Sequence, residues 1–180
     1  MTQRITFNTP RLLLIGADAL LLRAELAGFQ AKTHAALAVA IEANVPDKWP
    51  PELYDEAAVE WMRQATFALP LASIWRSYYI ALKEPTLTLV GVAGYKYAPD
   101  AEGVVEIGYS VLASHQRQGI ASEAVEALIA QAFAHGARAI AAETYPALVA
   151  SLGVMRRAGM MTAGAGSENG TVRYLCSAAL

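Results

Sequence analysis

The 180-residue chain has a single cysteine, Cys176, so it cannot form an internal disulfide bond. It also lacks an apolar run near the roughly 20 residues that a transmembrane helix needs, and its N-terminus has no apolar signal-peptide core. The three histidines are scattered, and no histidine or cysteine set has metal-ligand spacing. The sequence therefore predicts a cytoplasmic protein with no membrane contact and no metal.

The chain has no large excess of positive or negative charge. Fourteen basic residues oppose sixteen acidic ones, which gives a net charge of −2 and leaves no basic block for a nucleic acid. Cys176 has no histidine near it in sequence, so a covalent nucleophile is not indicated. The length suits one domain over residues 1–180.

What the chain does contain is a clear change of period in the stretch 103–135. Apolar residues alternate with Glu106, Gly108 and Ser110, which predicts a strand over residues 104–111 with two different faces. From Ser122 an apolar stripe recurs at helical spacing and runs to His135, where Gly136 is placed to end the helix. Strand, turn and helix follow one another directly.

The turn between them, residues 116–121, has the character of an anion site. A helix that opens directly after Gly119 directs unpaired backbone N–H groups and its positive dipole at one point, which suits phosphate. Gly119 has no Cβ to hold a phosphate away, Ala121 is nearly as small, and Arg117 adds positive charge. The alternative is an ordinary strand–loop–helix connection.

The remaining chain predicts an α/β protein with a mixed sheet. Short turns make the strands up to residue 111 an antiparallel meander, and the following helix and strand make a right-handed parallel βαβ step. Helices flank this mostly antiparallel central sheet. The predicted strands cover residues 5–15, 75–82, 87–97, 104–111, 139–144, a segment near 160 and 171–177; the predicted helices cover residues 17–27 (ended by Gly28), 31–43, 51–67, 122–135 and 147–158.

Gln116-x-x-Gly119-x-Ala121 resembles the Q/R-x-x-G-x-G/A signature of the GNAT acyltransferase superfamily. The longer string GYSVLASHQRQGIASEAVEAL, the opening Thr9-Pro10-Arg11-Leu12 and the segment AETYPALVASLGVMRRAGM resemble its RimJ/RimL-type branch. The resemblance implies a GNAT fold and an acetyl-CoA-dependent N-acetyltransferase. Its acceptor would be a primary amine on a protein N-terminus, a polyamine, an aminoglycoside or a small molecule, with direct transfer in a ternary complex.

The resemblance also implies where acetyl-CoA binds. A main-chain N–H near residues 109–111 is expected to polarise the thioester carbonyl. The expected contacts to coenzyme A are Tyr109, Ser110, Val111, Gln116, Arg117, Gln118, Gly119, Ile120, Ala121 and Ser122.

Glu106 and Ser151 are the candidate catalytic residues. Glu106 is a strand carboxylate beside small residues that leave room for a substrate, so it is the candidate base; the alternative is a solvated or ion-paired glutamate. By resemblance, Ser151 would protonate the leaving thiolate, or it would only contact coenzyme A. The tyrosine that many relatives use instead corresponds to Met155, and Leu148 replaces an asparagine of the family motif.

Aromatic residues are the candidates for the acceptor side. Trp49, Tyr54, Tyr95 and Tyr145 are predicted to contact the substrate, and Trp61 is a further candidate; the alternative is that they are core aromatics. Two other functions stay open: a non-catalytic acyl-CoA-binding module on the same fold, and a nucleotide-phosphate binder. The latter lacks a P-loop Lys-Ser/Thr pair and the three glycines of a dinucleotide turn. The resemblance allows a homodimer, but the sequence locates no interface.

Overall fold

The computed structural model describes residues 4–70 and 72–178. The strands are β1 (Thr6–Asn8), β2 (Leu12–Gly16), β3 (Ser77–Leu82), β4 (Thr88–Tyr95), β5 (Val104–Val111), β6 (Ala139–Thr144), β7 (Met161–Ala165) and β8 (Val172–Ser177). The helices are α1 (Ala19–Ala31), α2 (Ala35–Ile41), α3 (Glu56–Phe67), α4 (Ile120–Ala134) and α5 (Val149–Arg157). A short 3₁₀ turn, Ala113–His115, leads from β5 towards α4.

The eight strands form one sheet in the order β1-β2-β3-β4-β5-β6-β8-β7. Strands β1 to β5 are an antiparallel meander, β5 and β6 are parallel, and β8 pairs antiparallel with both β6 and β7. Helix α4 makes the parallel crossover from β5 to β6. The predicted mixed sheet with one parallel βαβ step is therefore confirmed.

Strands β5 and β6 pair along only half of β5. Their register runs from Val104 opposite Ala139 to Ile107 opposite Ala142, and the rest of β5 pairs with β4 alone. Because Lys96 N–H donates to the Glu106 carbonyl and Leu112 N–H to the Val90 carbonyl, even-numbered residues of β5 bond towards β4. The N–H groups of Tyr109 and Val111 therefore face the gap that opens between β5 and β6.

Each face of the sheet has its own apolar core. On one face α4 and α5 pack on side chains such as Val90, Ile107 and Ile140. On the other face α1, α2 and α3 cover Tyr79, Leu89 and their neighbours. The open gap between β5 and β6 thus lies between two layers of helices.

Three predicted element boundaries were wrong. The first predicted strand is two strands, separated around Pro10, whose ring cannot donate to a sheet ladder. Gly28 lies inside α1, where an added Cβ would meet the Thr33 carbonyl at 2.7 Å, and the helix ends at left-handed Lys32 instead. Helix α3 begins at Glu56, since the Asp55 side chain caps it by accepting the Ala58 N–H.

Over the described residues, no helix is both long and apolar enough to span a membrane. The same residues hold no group of three or more histidine, cysteine, aspartate or glutamate side chains arranged to bind a metal ion.

Candidate active site

A cavity of about 970 Å³ opens where β5 leaves β6. It is lined by the segment before α3, by α3, by the facing parts of β4 and β5, by the turn into α4 and by one face of α5 along its whole length. The turn and β5 come from the stretch 103–135 that the sequence marked as central, whereas β4, α3 and α5 lie outside it.

Gly119 gives the turn its shape. It is the residue before α4, with φ +78°, and no side chain caps the helix at this end. Arg117 also has a positive φ, +61°. A Cβ added at Gly119 would lie 3.3 Å from the Arg11 guanidinium, so glycine is favoured by both conformation and space. The first residues of α4 line the cavity, and the N–H groups of this uncapped helix start make an arrangement that suits an anion.

Side chains from the segment just before β2 hold this turn in place. Arg11 donates to the Gln118 carbonyl at 2.9 Å and to the Glu123 carboxylate at 2.6 Å, and Thr9 donates to Glu123 at 2.5 Å. Burial alone would raise the pKa of Glu123, but the hydrogen bonds from Thr9 and Arg11 outweigh it and lower this pKa below its ordinary value. We call Thr9, Arg11 and Glu123 the turn clamp.

Arg157 is a further cation near the turn, besides Arg11 and Arg117. It is the last residue of α5, lines the cavity and donates to the Ser122 hydroxyl at 3.0 Å. The sequence does not reveal Arg157 as a site residue, because its contact joins residues 35 positions apart. Together with Arg117 it makes this end of the cavity positive.

Glu106 forms an ion pair with Lys96 across β4 and β5. The Lys96 ammonium lies 2.5 Å from Oε1 of Glu106, at an angle outside that of a hydrogen bond. Lys96 lines the cavity, whereas Glu106 lies just behind it with 21% of its side chain exposed. Glu106 is therefore ion-paired in this structure, and its partner Lys96 is a site residue that the sequence pattern does not reveal.

Ser151 lines the cavity from the first turn of α5. The Tyr109 hydroxyl donates to the Ser151 carbonyl at 3.1 Å and so joins α5 to the open edge of β5. Burial raises the pKa of Tyr109 to about 12 although this hydrogen bond opposes the change, which keeps the phenol protonated at neutral pH. Leu148, the residue before α5, lines the cavity and provides no side-chain cap.

The structure brings together nearly all of the residues expected to contact coenzyme A. Nine of the ten line the cavity: Tyr109, Ser110, Val111, Gln116, Arg117, Gly119, Ile120, Ala121 and Ser122. Gln118 does not, because its carbonyl accepts from Arg11 and its amide donates to the Ser114 carbonyl.

The four residues predicted on the acceptor side are divided. Tyr54 and Tyr95 line the cavity, but their hydroxyls donate to Glu25 and to the Leu128 carbonyl respectively. Trp49 is buried, with its indole N–H donating to Glu25, and Tyr145 is an exposed residue beside Glu168. Neither Trp49 nor Tyr145 lines the cavity, whereas Trp61 does.

Glu25 organises the aromatic residues behind the cavity. Trp49, Tyr54 and Tyr79 all donate to its buried carboxylate, at 2.6, 2.8 and 2.6 Å. Burial raises the pKa of Glu25 above its ordinary value, and the three hydrogen bonds oppose this rise only in part. Through Glu25, the segment before α3 is fastened to α1 and β3.

A comparison of the sequence with models of known protein families agrees with the fold and the cavity described above. The family model of the acetyltransferase (GNAT) domain matches residues 23–161. The chain belongs to the GNAT acetyltransferase family. No protein of curated function matches the sequence.

Solved structures show the same GNAT fold at low sequence identity. RimL, a ribosomal L7/L12 alpha-N-protein acetyltransferase, is 21% identical with a TM-score of 0.67, over 98% of this chain and 96% of that one. The ribosomal-protein-S5-alanine acetyltransferase of Vibrio fischeri is 17% identical with a TM-score of 0.67, over 96% of each chain. The Microcin C7 self immunity acetyltransferase MccE, solved with acetyl-CoA and AMP, is 17% identical with a TM-score of 0.64, over 94% of each chain. The expected likeness to RimJ/RimL-type members thus holds for the fold.

Proposed function

We propose that this GNAT protein is an N-acetyltransferase that transfers the acetyl group of acetyl-CoA directly to a primary amine. The observation that carries the proposal is the uncapped start of α4 at Gly119, which opens on the gap between β5 and β6. The turn suits the pyrophosphate of coenzyme A, with Arg117 and Arg157 as counter-charges. The pantetheine arm would then run along the open edge of β5.

The strand edge supports polarisation of the thioester. The N–H groups of Tyr109 and Val111 face the gap, so they are available to a carbonyl oxygen that becomes negative as the amine attacks. Such donors are fixed by the sheet and need no reorganisation during the reaction. This agrees with the expectation that a main-chain N–H near residues 109–111 polarises the carbonyl.

Glu106 is the proposed base. The amine arrives mostly protonated, since its pKa is about three units above neutral pH for an alkylamine and about one unit above it for a peptide α-amino group, and it must lose one proton before attack. Because Lys96 occupies Oε1, we propose that Oε2 accepts this proton, directly or through a water molecule. The new C–N bond then forms, and a second proton leaves the nitrogen as the product becomes an amide.

Ser151 is the proposed acid. When the C–S bond breaks, the thiolate takes a proton from the Ser151 hydroxyl, and the second proton released by the nitrogen returns to that hydroxyl through water. Tyr109 positions this turn through its hydrogen bond to the Ser151 carbonyl. The products are an N-acetylated amine and free coenzyme A.

A calorimetric titration with acetyl-CoA tests the cofactor site. In Gly119→Trp the indole would fill the anion site, so binding should weaken at least a hundredfold. Gly136→Trp is the matched control, since Gly136 also has a positive φ, +90°, and lies beyond the other end of α4 with no atom near an added Cβ. If both variants bind acetyl-CoA as the wild type does, the turn is not the binding site.

Release of free thiol in the presence of an amine panel tests the reaction itself. Turnover with any primary amine supports the transferase. Saturable acetyl-CoA binding without turnover for any amine or N-terminal peptide would favour the non-catalytic binding module instead.

A further inference from the structure

The wall of the cavity nearest Lys96 is largely apolar. The segment before α3 and α3 itself contribute Leu53, Ala58, Trp61 and Met62 to this wall. Leu53 is 82% exposed and Trp61 is 38% exposed, so both keep large apolar surface in contact with solvent. Apolar surface that is left uncovered inside a concave site marks a place where a ligand removes it from water.

An aromatic pair brings this wall up to the proposed base. The Trp61 ring meets the Tyr97 ring edge-on, with centroids 5.6 Å apart and planes at 84°. Tyr97 directly follows Lys96, whose ammonium contacts Glu106. Trp61 and Lys96 line the same cavity, so a group attached to a nitrogen that gives its proton to Glu106 can pack on the indole within that cavity.

The cavity offers few carboxylates to a polycation. Among the described residues that line it, Glu52 is the one with a carboxylate, whereas Arg117 and Arg157 are assigned to coenzyme A and Lys96 pairs with Glu106. A polyamine or an aminoglycoside carries several positive charges, and sites that hold such ligands need several carboxylates to replace the lost hydration. Apart from Glu106, the proposed base, the described lining of the cavity offers them one.

Building on the acetyltransferase function proposed above, we propose that the acceptor is a primary monoamine with an apolar or aromatic group close to its nitrogen, and that Trp61 binds this group. Trp61 is then a specificity residue. The same chemistry occurs in a small arylalkylamine and in a peptide whose first residue is aromatic or aliphatic. Polyamines and aminoglycosides are excluded as preferred acceptors.

Binding measured separately from turnover tests the proposal. Protein saturated with coenzyme A is titrated with 2-phenylethylamine, with a tetrapeptide that begins with phenylalanine, with one that begins with serine, and with spermidine. We expect at least one of the two aromatic ligands to bind tenfold or more tightly than spermidine. Which of the two binds more tightly distinguishes a small-molecule acceptor from a peptide.

Variants of α3 assign the effect to Trp61. Trp61→Ala should weaken binding of the aromatic ligand about tenfold, and Trp61→Phe should restore part of it. Phe67→Ala is the matched control, because Phe67 is an exposed aromatic residue of the same helix that does not line the cavity. It should leave binding unchanged.

Three results would overturn the inference: tighter binding of spermidine, no measurable binding of either aromatic ligand, or unchanged binding in Trp61→Ala. If Trp61→Ala changes the sedimentation of the protein but not amine binding, Trp61 belongs to an interface between two copies, and the inference is also wrong. Measuring thiol release tests the acceptor class separately from the proposed acetyltransferase function. If spermidine alone is acetylated, the proposed acceptor class is wrong and the transferase function stands. If an aromatic amine binds in a Trp61-dependent manner but is not acetylated, the transferase function is wrong and the binding preference stands.

Discussion

At the scale of single residues, the ion pair between Lys96 and Glu106 sets the first prediction. Glu106→Gln keeps the size of the side chain but cannot accept the amine proton, so kcat should fall about a hundredfold or more. The Kd for acetyl-CoA should not change, because Glu106 lies behind Lys96 and away from the turn at Gly119. Initial rates from pH 6 to pH 10 and a calorimetric titration measure both effects.

A control distinguishes base catalysis from loss of the ion pair. Lys96→Met removes the same contact and leaves the carboxylate in place, so it should retain more activity than Glu106→Gln. An unchanged rate and pH profile in Glu106→Gln would remove Glu106 from the base role.

Ser151 gives a second prediction at this scale. Ser151→Ala should lower kcat about tenfold or more, since the thiolate would leave unprotonated, while the Kd for acetyl-CoA stays the same. A rise in that Kd with unchanged kcat would instead show that Ser151 only contacts coenzyme A. Steady-state kinetics and calorimetry on the same preparation separate the two outcomes.

Individual site residues were only partly predictable from the sequence. The glycine turn was found because φ and close approach restrict one position to one residue type, and Gly119 is that position. Trp49 was expected on the acceptor side but donates to Glu25, which lies 24 positions away in sequence. Arg157 and Lys96 were missed for the same reason: each acts through a partner that only the folded chain brings near it.

At the scale of elements, the turn clamp should depend on pH. Because the pKa of Glu123 is lower in the folded state than in the unfolded chain, the clamp contributes stability above the unfolded value near 4.3. That contribution is lost as the pH falls through the folded-state pKa. Glu123→Gln should therefore destabilise the protein by about 1 kcal/mol at pH 7 and by less at pH 3.

Urea unfolding at the two pH values measures this difference. Glu126→Gln is the matched control, because Glu126 is an exposed carboxylate on the same helix. If the two variants are equally stable at pH 7, Glu123 does not hold the turn. Weaker acetyl-CoA binding in Glu123→Gln alone would connect the clamp to the site.

The elements themselves were predicted better than their ends. Strand β5, helix α4 and strand β6 follow from strong periodicity, and their observed bounds lie within two residues of the prediction. The start of α3 was placed five residues too early, because Pro51 suits a first helical turn but Asp55 supplies the actual cap.

At the scale of the whole molecule, Glu25 fastens together elements that lie far apart in sequence. Its pKa is raised in the folded state, so its contribution to stability is largest below the unfolded value near 4.3 and declines as the pH rises through the folded-state pKa. The free energy of unfolding of the wild type, minus that of Glu25→Gln, should therefore decrease between pH 4 and pH 7. Urea titrations at three pH values measure it, and the same difference taken with Glu126→Gln should stay flat.

The order of the strands was within reach of the sequence, because short turns dictate a meander and a long helix dictates a parallel crossover. The separation of β5 from β6 was not, since alternation of apolar residues predicts a strand but not the residue at which its pairing stops. This separation of the two strands also forms the opening of the cavity.

The short pairing between β5 and β6 has a consequence for the lifetime of the protein in a cell. Four pairs of residues, Val104–Ile107 against Ala139–Ala142, join one half of the sheet to the other. A molecule of acetyl-CoA bound in the gap would contact both halves of the sheet. At a hundred times its Kd it would add about 2.7 kcal/mol to the free energy of unfolding. The resistance of the protein to heat and to proteolysis should therefore rise and fall with the concentration of acetyl-CoA. When acetyl-CoA is scarce, the amount of protein in the cell would fall along with its catalytic rate.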